Sequence, residues 1–222
     1  MSSNAPLPPP AVSEPPPCPR TMAVLEVAGF TAAVAVLDAA QKAAHVRLLQ
    51  AELNDLLGLV IKLVGDRASL DAAIDAAHAQ AAIMHTRVLA RVLDGLPETA
   101  WPAIWSLPEF NPLIAQDVVL LPQEISPAMT NASIPALGFI ETQGFTAVFE
   151  AIDTACKAAD VQVVAKEKLG GGYVTIVIQG DVAAVKAAID AGSAKVESLG
   201  KLIAAHVIAR PSDAVMSLLP KG

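Results

Sequence analysis

The stretch Glu26-Val27-Ala28-Gly29-Phe30-Thr31-Ala32 returns as Glu141-Thr142-Gln143-Gly144-Phe145-Thr146-Ala147, a shift of 115 residues. The same shift pairs Asp38 with Asp153, Lys42-Ala43-Ala44 with Lys157-Ala158-Ala159, and Val46 with Val161. It pairs Gly65-Asp66 with Gly180-Asp181 and Ala73-Ile74-Asp75-Ala76 with Ala188-Ile189-Asp190-Ala191, and it still holds at Ala90 and Val92 against Ala205 and Val207. One ungapped offset kept over about seventy residues marks a duplication. The chain is therefore two copies of one fold unit. Its 222 residues are short for two average domains, so each copy must be small.

The second copy reads as alternating short elements. Residues 136–141 are an apolar strand, and Gly144 opens a helix whose apolar positions Phe145, Val148, Phe149, Ile152 and Cys156 recur at helical spacing. Two β-branched strands, residues 161–165 and 173–178, flank the run Lys166-Glu167-Lys168-Leu169-Gly170-Gly171-Gly172. Asp181 caps a second helix with Val182, Val185 and Ile189 on its inner face. Residues 202–209 form a fourth strand, which Arg210-Pro211-Ser212 ends before a short terminal helix. The order β-α-β-β-α-β-α is the split βαβ pattern of ferredoxin-like α+β folds, an antiparallel sheet with helices on one face.

Two segments lie outside the repeat. Residues 1–21 hold eight of the seventeen prolines and read as a disordered, polyproline-like tail, with docking to a reader of proline-rich peptides as the sharper alternative. The connector, residues 105–134 between units at 22–104 and 135–220, is apolar and broken by prolines. Trp101, Trp105 and Phe110 are expected to pin this region to the first unit. No polar groups for a ligand pocket are evident beside them.

Composition narrows the function. The chain is 54% apolar and 17% charged with a net charge of −7, and it lacks a basic cluster, which argues against nucleic-acid binding. Its uncharged runs are too short or too proline-broken to span a bilayer, so no membrane partner is expected. The start lacks the basic and apolar blocks of a secretory signal. Two cysteines, Cys18 and Cys156, make no disulfide framework, and a reducing cytoplasm fits. High apolarity without a membrane segment points to surface buried against other subunits.

The second copy resembles the shell-protein domain of bacterial microcompartments. The resemblance rests on Gly138-Phe139-Ile140-Glu141-Thr142-Gln143-Gly144-Phe145, on Asp153 with Lys157-Ala158-Ala159, and on the run from Glu167 through Gly170-Gly171-Gly172 to Thr175. Gly180-Asp181-Val182 to Ala188 and His206-Val207-Ile208-Ala209-Arg210-Pro211 complete it. The first copy is more divergent but keeps register. The resemblance implies a tandem-domain, unpermuted shell protein whose trimer imitates a hexagonal tile, in a single layer. Its implied partners are two further copies of itself, other shell proteins (hexameric tiles and pentameric vertices) and encapsulated cargo enzymes.

The resemblance also assigns residues. The turn between the second and third strands would line a central pore: Gly170, Gly171 and Gly172 in the second copy, and Asn54, Asp55, Leu56 and Leu57 in the first. Glycines bring backbone amides to an opening without side chains in the way, which favours polar or anionic solutes. The first copy lacks the glycines; three copies of Leu56 or Leu57 would make an apolar constriction, three of Asp55 an acidic ring, and the choice stays open. Lys42, Lys157 and Arg210 match tile-edge positions, while Gly95 stands where the first copy would carry the arginine. Neither turn has a cysteine for an iron–sulfur cluster, and Cys156 is expected to be buried in its helix, so no cofactor is expected.

Enzyme signals are weak. His78 and His85 would lie about 10 Å apart on one helix, too far to share a metal. Asp71 and Asp75 are spaced for a solvated helix face. Gly170-Gly171-Gly172 precedes a strand rather than a helix, so it is no nucleotide fingerprint. The leading expectation is a structural facet tile of a proteinaceous organelle with a pore for small metabolites; the competitor is a trimeric ferredoxin-like protein that binds a regulatory ligand between subunits.

Overall fold

The computed structural model describes residues 15–54, 58–123 and 135–219. The first half runs β1 (Thr21–Ala28), α1 (Phe30–Ala43), β2 (Arg47–Asn54), β3 (Gly58–Val64), α2 (Arg67–Ile83) and β4 (Val88–Asp94). A 3-10 turn (Glu98–Ala100), the short α3 (Trp101–Ile104) and three two-residue strands follow: β5 (Phe110–Asn111), β6 (Gln116–Asp117) and β7 (Val119–Leu120). The second half repeats the plan as β8 (Ala136–Gln143), α4 (Phe145–Ala158), β9 (Gln162–Gly170), β10 (Tyr173–Gly180), α5 (Val182–Ser193), β11 (Lys201–Ile208) and a closing α6 (Asp213–Leu218).

The sheets are antiparallel, in the orders β4-β1-β3-β2-β7 and β11-β8-β10-β9. The expected split βαβ topology is present twice, with Leu25 opposite Ile61 in one copy and Ile140 opposite Ile176 in the other. Matching local chemistry sets the helix starts. Asp66 accepts from the Ser69 amide at 2.9 Å and Asp181 from the Ala183 amide at 2.8 Å, which satisfies donors a helix start leaves free. Helices α1 and α4 start differently: Gly29 and Gly144 hold φ of 85° and 127° and offer no side chain to cap.

The second half has a core of Ile140, Ile176, Ile178, Val185 and Ile189 under α4 and α5. On β8 the alternate residues Leu137 and Phe139, with Val177 and Ile208, join instead the core of the first half, which contains α1. The strand period of two thus lets one sheet serve two cores. Alanines dominate the inner faces of the helices, with Ala73, Ala77 and Ala81 buried at every fourth residue of α2.

Helix α4 corrects the sequence reading. Its buried residues are Ala147, Val148, Ala151 and Ala155. Phe145, Phe149 and Cys156 are exposed, so Cys156 is not buried as expected. The small residues let α4 lie close against α5, and the bulky stripe faces outward.

The connector is partly as expected. Trp101 is buried against Met22 and Leu49, and Trp105 stacks on it at 5.9 Å. Phe110 is exposed and pins nothing. Residues 15–20, read from the sequence as the end of a disordered tail, lie on the first half. Trp101 Nε1 donates to the Pro16 carbonyl at 2.8 Å, the Leu96 amide to the Arg20 carbonyl at 3.1 Å, and Cys18 packs beside Trp101. Residues 1–14 lie outside the described residues.

Candidate functional site

The turn between β9 and β10 carries three successive positive φ values, 88° at Gly170, 57° at Gly171 and 82° at Gly172. Such a run suits glycine and strains other residues. The turn is braced against the start of α4: the Gly144 amide donates to the Gly172 carbonyl at 2.9 Å, and Gln143 Nε2 reaches the Gly171 carbonyl at 3.4 Å. A methyl group placed at Gly170 would meet nothing within 4 Å. The backbone there stands open.

In the first copy, Asp55, Leu56 and Leu57 lie outside the described residues. Asn54, at the base of that turn, clamps it: its side-chain oxygen accepts from the Gly58 amide at 2.9 Å, and its amide nitrogen donates to Glu26 Oε1 at 3.4 Å. Gly58 admits no side chain, since a Cβ would sit 1.9 Å from the Val27 carbonyl oxygen. The repeat places Tyr173 at this position in the second copy. The two turns therefore differ in both tip and base.

Lys42 and Lys157 end their helices in the same way, each bonded to the aspartate four residues earlier: Lys42 to Asp38 at 2.5 Å and Lys157 to Asp153 at 2.6 Å. The Lys157–Asp153 pair is exposed and contributes little to stability, whereas Asp38 is buried; in both copies the pair sets where the ammonium sits. The structure distinguishes the two lysines. The second oxygen of Asp38 accepts from the Ser212 amide at 2.8 Å, and Gln41 accepts from the Ala214 amide at 2.7 Å. Lys42 thus pairs with an aspartate at the meeting of the halves, whose other partner, Ser212, follows the exposed Arg210 by two residues. Lys157 stands on the outer surface. Gly95 has a φ of 65° and open space around it.

The junction between the halves depends on a residue that sequence reasoning did not single out for a role. Glu141 is fully buried on β8, and its carboxylate accepts from the Phe30 amide at 3.0 Å and the Thr31 amide at 2.9 Å. One copy thus caps the helix of the other. The donors and the positive helix end favour the charged form, whereas burial pushes the carboxyl above its ordinary value and outweighs the two amides. A signal was available: in both copies the glutamate stands four residues before a helix whose own N-cap is glycine.

A second missed residue is Lys62. It is buried on β3 and pairs with Glu52 at 2.8 Å, with further bonds to Gln50 Oε1 at 2.8 Å, Ser106 Oγ at 3.1 Å and the Ile104 carbonyl. Polar groups do therefore lie beneath the tryptophans, contrary to the sequence reading, but they satisfy one another. A charge held this way anchors the connector rather than binding a ligand. Among the described residues, no group of three or more His, Cys, Asp or Glu side chains is placed to hold a metal ion, and no helix is long and apolar enough to cross a membrane. His85, with a φ of 52°, has left the helix that carries His78.

Comparison with known proteins matches these halves one by one. The family model described as the BMC domain fits residues 21–92 and again residues 136–211. The bacterial microcompartment shell protein PduA of Citrobacter freundii is 52% identical over 87 residues, which is 39% of this chain and 94% of that protein. The microcompartment shell protein EutM of Escherichia coli K12 is 47% identical over 87 residues, 39% of this chain and 90% of its own. The major carboxysome shell protein CsoS1A of Halothiobacillus neapolitanus is 47% identical over the same length, covering 89% of that protein. A solved structure of a microcompartment protein from Desulfitobacterium hafniense aligns over 90% of this chain and 99% of its own at 26% identity, with a TM-score of 0.36.

Proposed function

The chain belongs to the BMC domain family, in tandem form, and from that premise we propose that it is a facet tile of a bacterial microcompartment shell, assembled as a trimer with a pore at its centre. The role is structural and not enzymatic, as it is for the shell proteins it resembles, and its site of action is the shell within the bacterial cytoplasm. The observation that carries this reading is the double match: both halves answer to the same shell domain, in the same order and register. Three chains supply six wedges, and closed cyclic symmetry accommodates them.

In this arrangement Gly170, Gly171 and Gly172 alternate around the pore with Asn54, Asp55, Leu56 and Leu57. Lys42, Lys157 and Arg210 meet neighbouring tiles, and Gly95 leaves one edge position without its arginine. Other shell proteins are the partners at those edges, and cargo enzymes lie within the shell.

The test is a mass measurement in solution followed by electron microscopy at high protein concentration. A tile forms trimers and flat hexagonal sheets, and Lys157→Ala abolishes the sheets while leaving the trimers intact. A discrete trimer that never forms sheets, and whose melting temperature shifts with one metabolite, would instead mark the ligand-binding competitor.

A further inference from the structure

The junction inside the chain has a bare counterpart on its outside. Helix α1 receives the Glu141 carboxylate on its Phe30 and Thr31 amides. The repeat equates these residues with Glu26, Phe145 and Thr146. No side chain among the described residues caps α4, which starts at Phe145. Glu26 is half-buried on β1, and the hydrogen bond its side chain accepts from Asn54 is long at 3.4 Å.

The surroundings agree. Around Glu141, a cleft brings Leu202 and Ala204 of β11 beside Gly29, at the start of α1, and Ala32 within it. The repeat equates Leu202 with Arg87 and Ala204 with Leu89. Those two residues, with Glu26, Ala28 and Asn54, line a recess of about 240 Å³ in the first half. The seat that α1 fills at one junction is therefore vacant at the other, while α4, the repeat of α1, is exposed along its outer face.

We propose that Glu26 of one copy caps helix α4 of the next copy, its carboxylate accepting from the Phe145 and Thr146 amides as Glu141 accepts from Phe30 and Thr31. This inference rests on the trimeric reading above and names the residues that close the ring. Each chain then gives one helix start and one carboxylate to its neighbours, a head-to-tail contact that forms a closed ring. A charge-assisted bond to a helix start is strong when water is excluded, and it is strict about geometry. The two junctions are not identical in every part. The repeat equates Ser212, whose amide bonds to Asp38, with Pro97, which has no amide hydrogen. The external junction therefore lacks that second bond, and the Glu26 contact bears more of the specificity.

Sedimentation velocity of the full chain tests this, with Glu26→Ala, Glu26→Gln and Thr146→Pro as variants. The last removes an amide donor within the first helical turn, where proline is tolerated. The expected result is a trimeric parent, at least a tenfold rise in the concentration that half-dissociates the trimer for each variant, and variant monomers whose circular dichroism and melting match those of the parent diluted to monomer. A structure of the assembled parent should show the Glu26 oxygens within hydrogen-bond distance of both amides of the neighbouring copy. A trimeric parent with variants that dissociate no more readily, or with Glu26 facing solvent, overturns the capping proposal and leaves the tile reading standing. A parent that stays monomeric at all concentrations overturns the tile reading itself.

Discussion

Helices α1 and α4 descend from one sequence yet live in different surroundings. Phe30 is 4% exposed and its counterpart Phe145 is 43%; Val34 is 5% exposed and its counterpart Phe149 is 49%. Asp38 is buried where Asp153 is exposed. The second half of the chain covers the first helix, and among the described residues nothing covers the outer face of the second. Phe145 and Phe149 instead touch edge to face at 6.0 Å. A pair of exposed phenylalanines on a helix that exposes its buried counterpart's face is the mark of an interface awaiting its other side. The comparison teaches that the same helix pattern takes its burial from what packs on it: α1 lies against a face of the second half's sheet, through Leu137, Phe139, Val177 and Ile208.

The largest effect should come from breaking that pair in each place. Val34→Asp puts a charge into the covered helix and should cost about 4 kcal/mol of folding stability. Phe149→Asp, at the bare counterpart, should stay within about 0.5 kcal/mol of the parent for the monomer while abolishing assembly. Urea unfolding of dilute protein, paired with sedimentation of concentrated protein, reads both. Equal losses of monomer stability would break the comparison.

A second contrast lies on the sheets. Glu52 is paired with Lys62, but in the second copy Glu167 faces a sheet where the lysine has become Val177. Burial, with Asp117 adding to it and Lys168 opposing, pushes Glu167 up to about 7. A carboxyl raised on folding binds its proton more tightly in the native state, so its effect on stability is adverse once the proton leaves. Stability should fall as pH rises from about 4.5 to about 7. Glu167→Gln should remove that fall, with a gain on the order of 2 kcal/mol at pH 8 and little change at pH 4.5. Thermal melts across that range decide it; a gain independent of pH would implicate packing instead.

The smallest effect is a control in which the copies should agree. Asp66 and Asp181 cap equivalent helices at similar distances. Replacing either by alanine should cost about 1 kcal/mol, with the two values within a few tenths of each other. A large gap would mean that the halves differ in more than their coverage.

Much of this was legible in the residues. The duplication, the strand and helix order, both aspartate caps and the glycine turn follow from local pattern, because a turn or a cap is decided by a few neighbouring residues. What escaped was decided across the junction. Helical spacing put Phe145, Val148, Phe149, Ile152 and Cys156 on an inner face because large apolar residues dominate any periodicity; Val148 and Ile152 do pack on the core, but the rest of that face is alanine and Phe145, Phe149 and Cys156 are exposed. Glu141 could be read as part of a motif but not as the cap of a helix more than a hundred residues earlier. Lys62 is a single charge within an apolar strand, and its partners come from β2 and from the connector. The tail residues near Pro16 gained order through one tryptophan that composition alone does not connect to them.

Gly29 and Gly144 begin their helices with nothing of their own to offer the first amides. In the ring of six such units proposed above, every joint has to be supplied by a neighbour. Tethering two units in one polypeptide turns alternate joints into events of folding, at the effective concentration of a linked segment rather than of a dilute partner. Half the perimeter then arrives prefabricated, and three joints between chains close a ring that would otherwise need six.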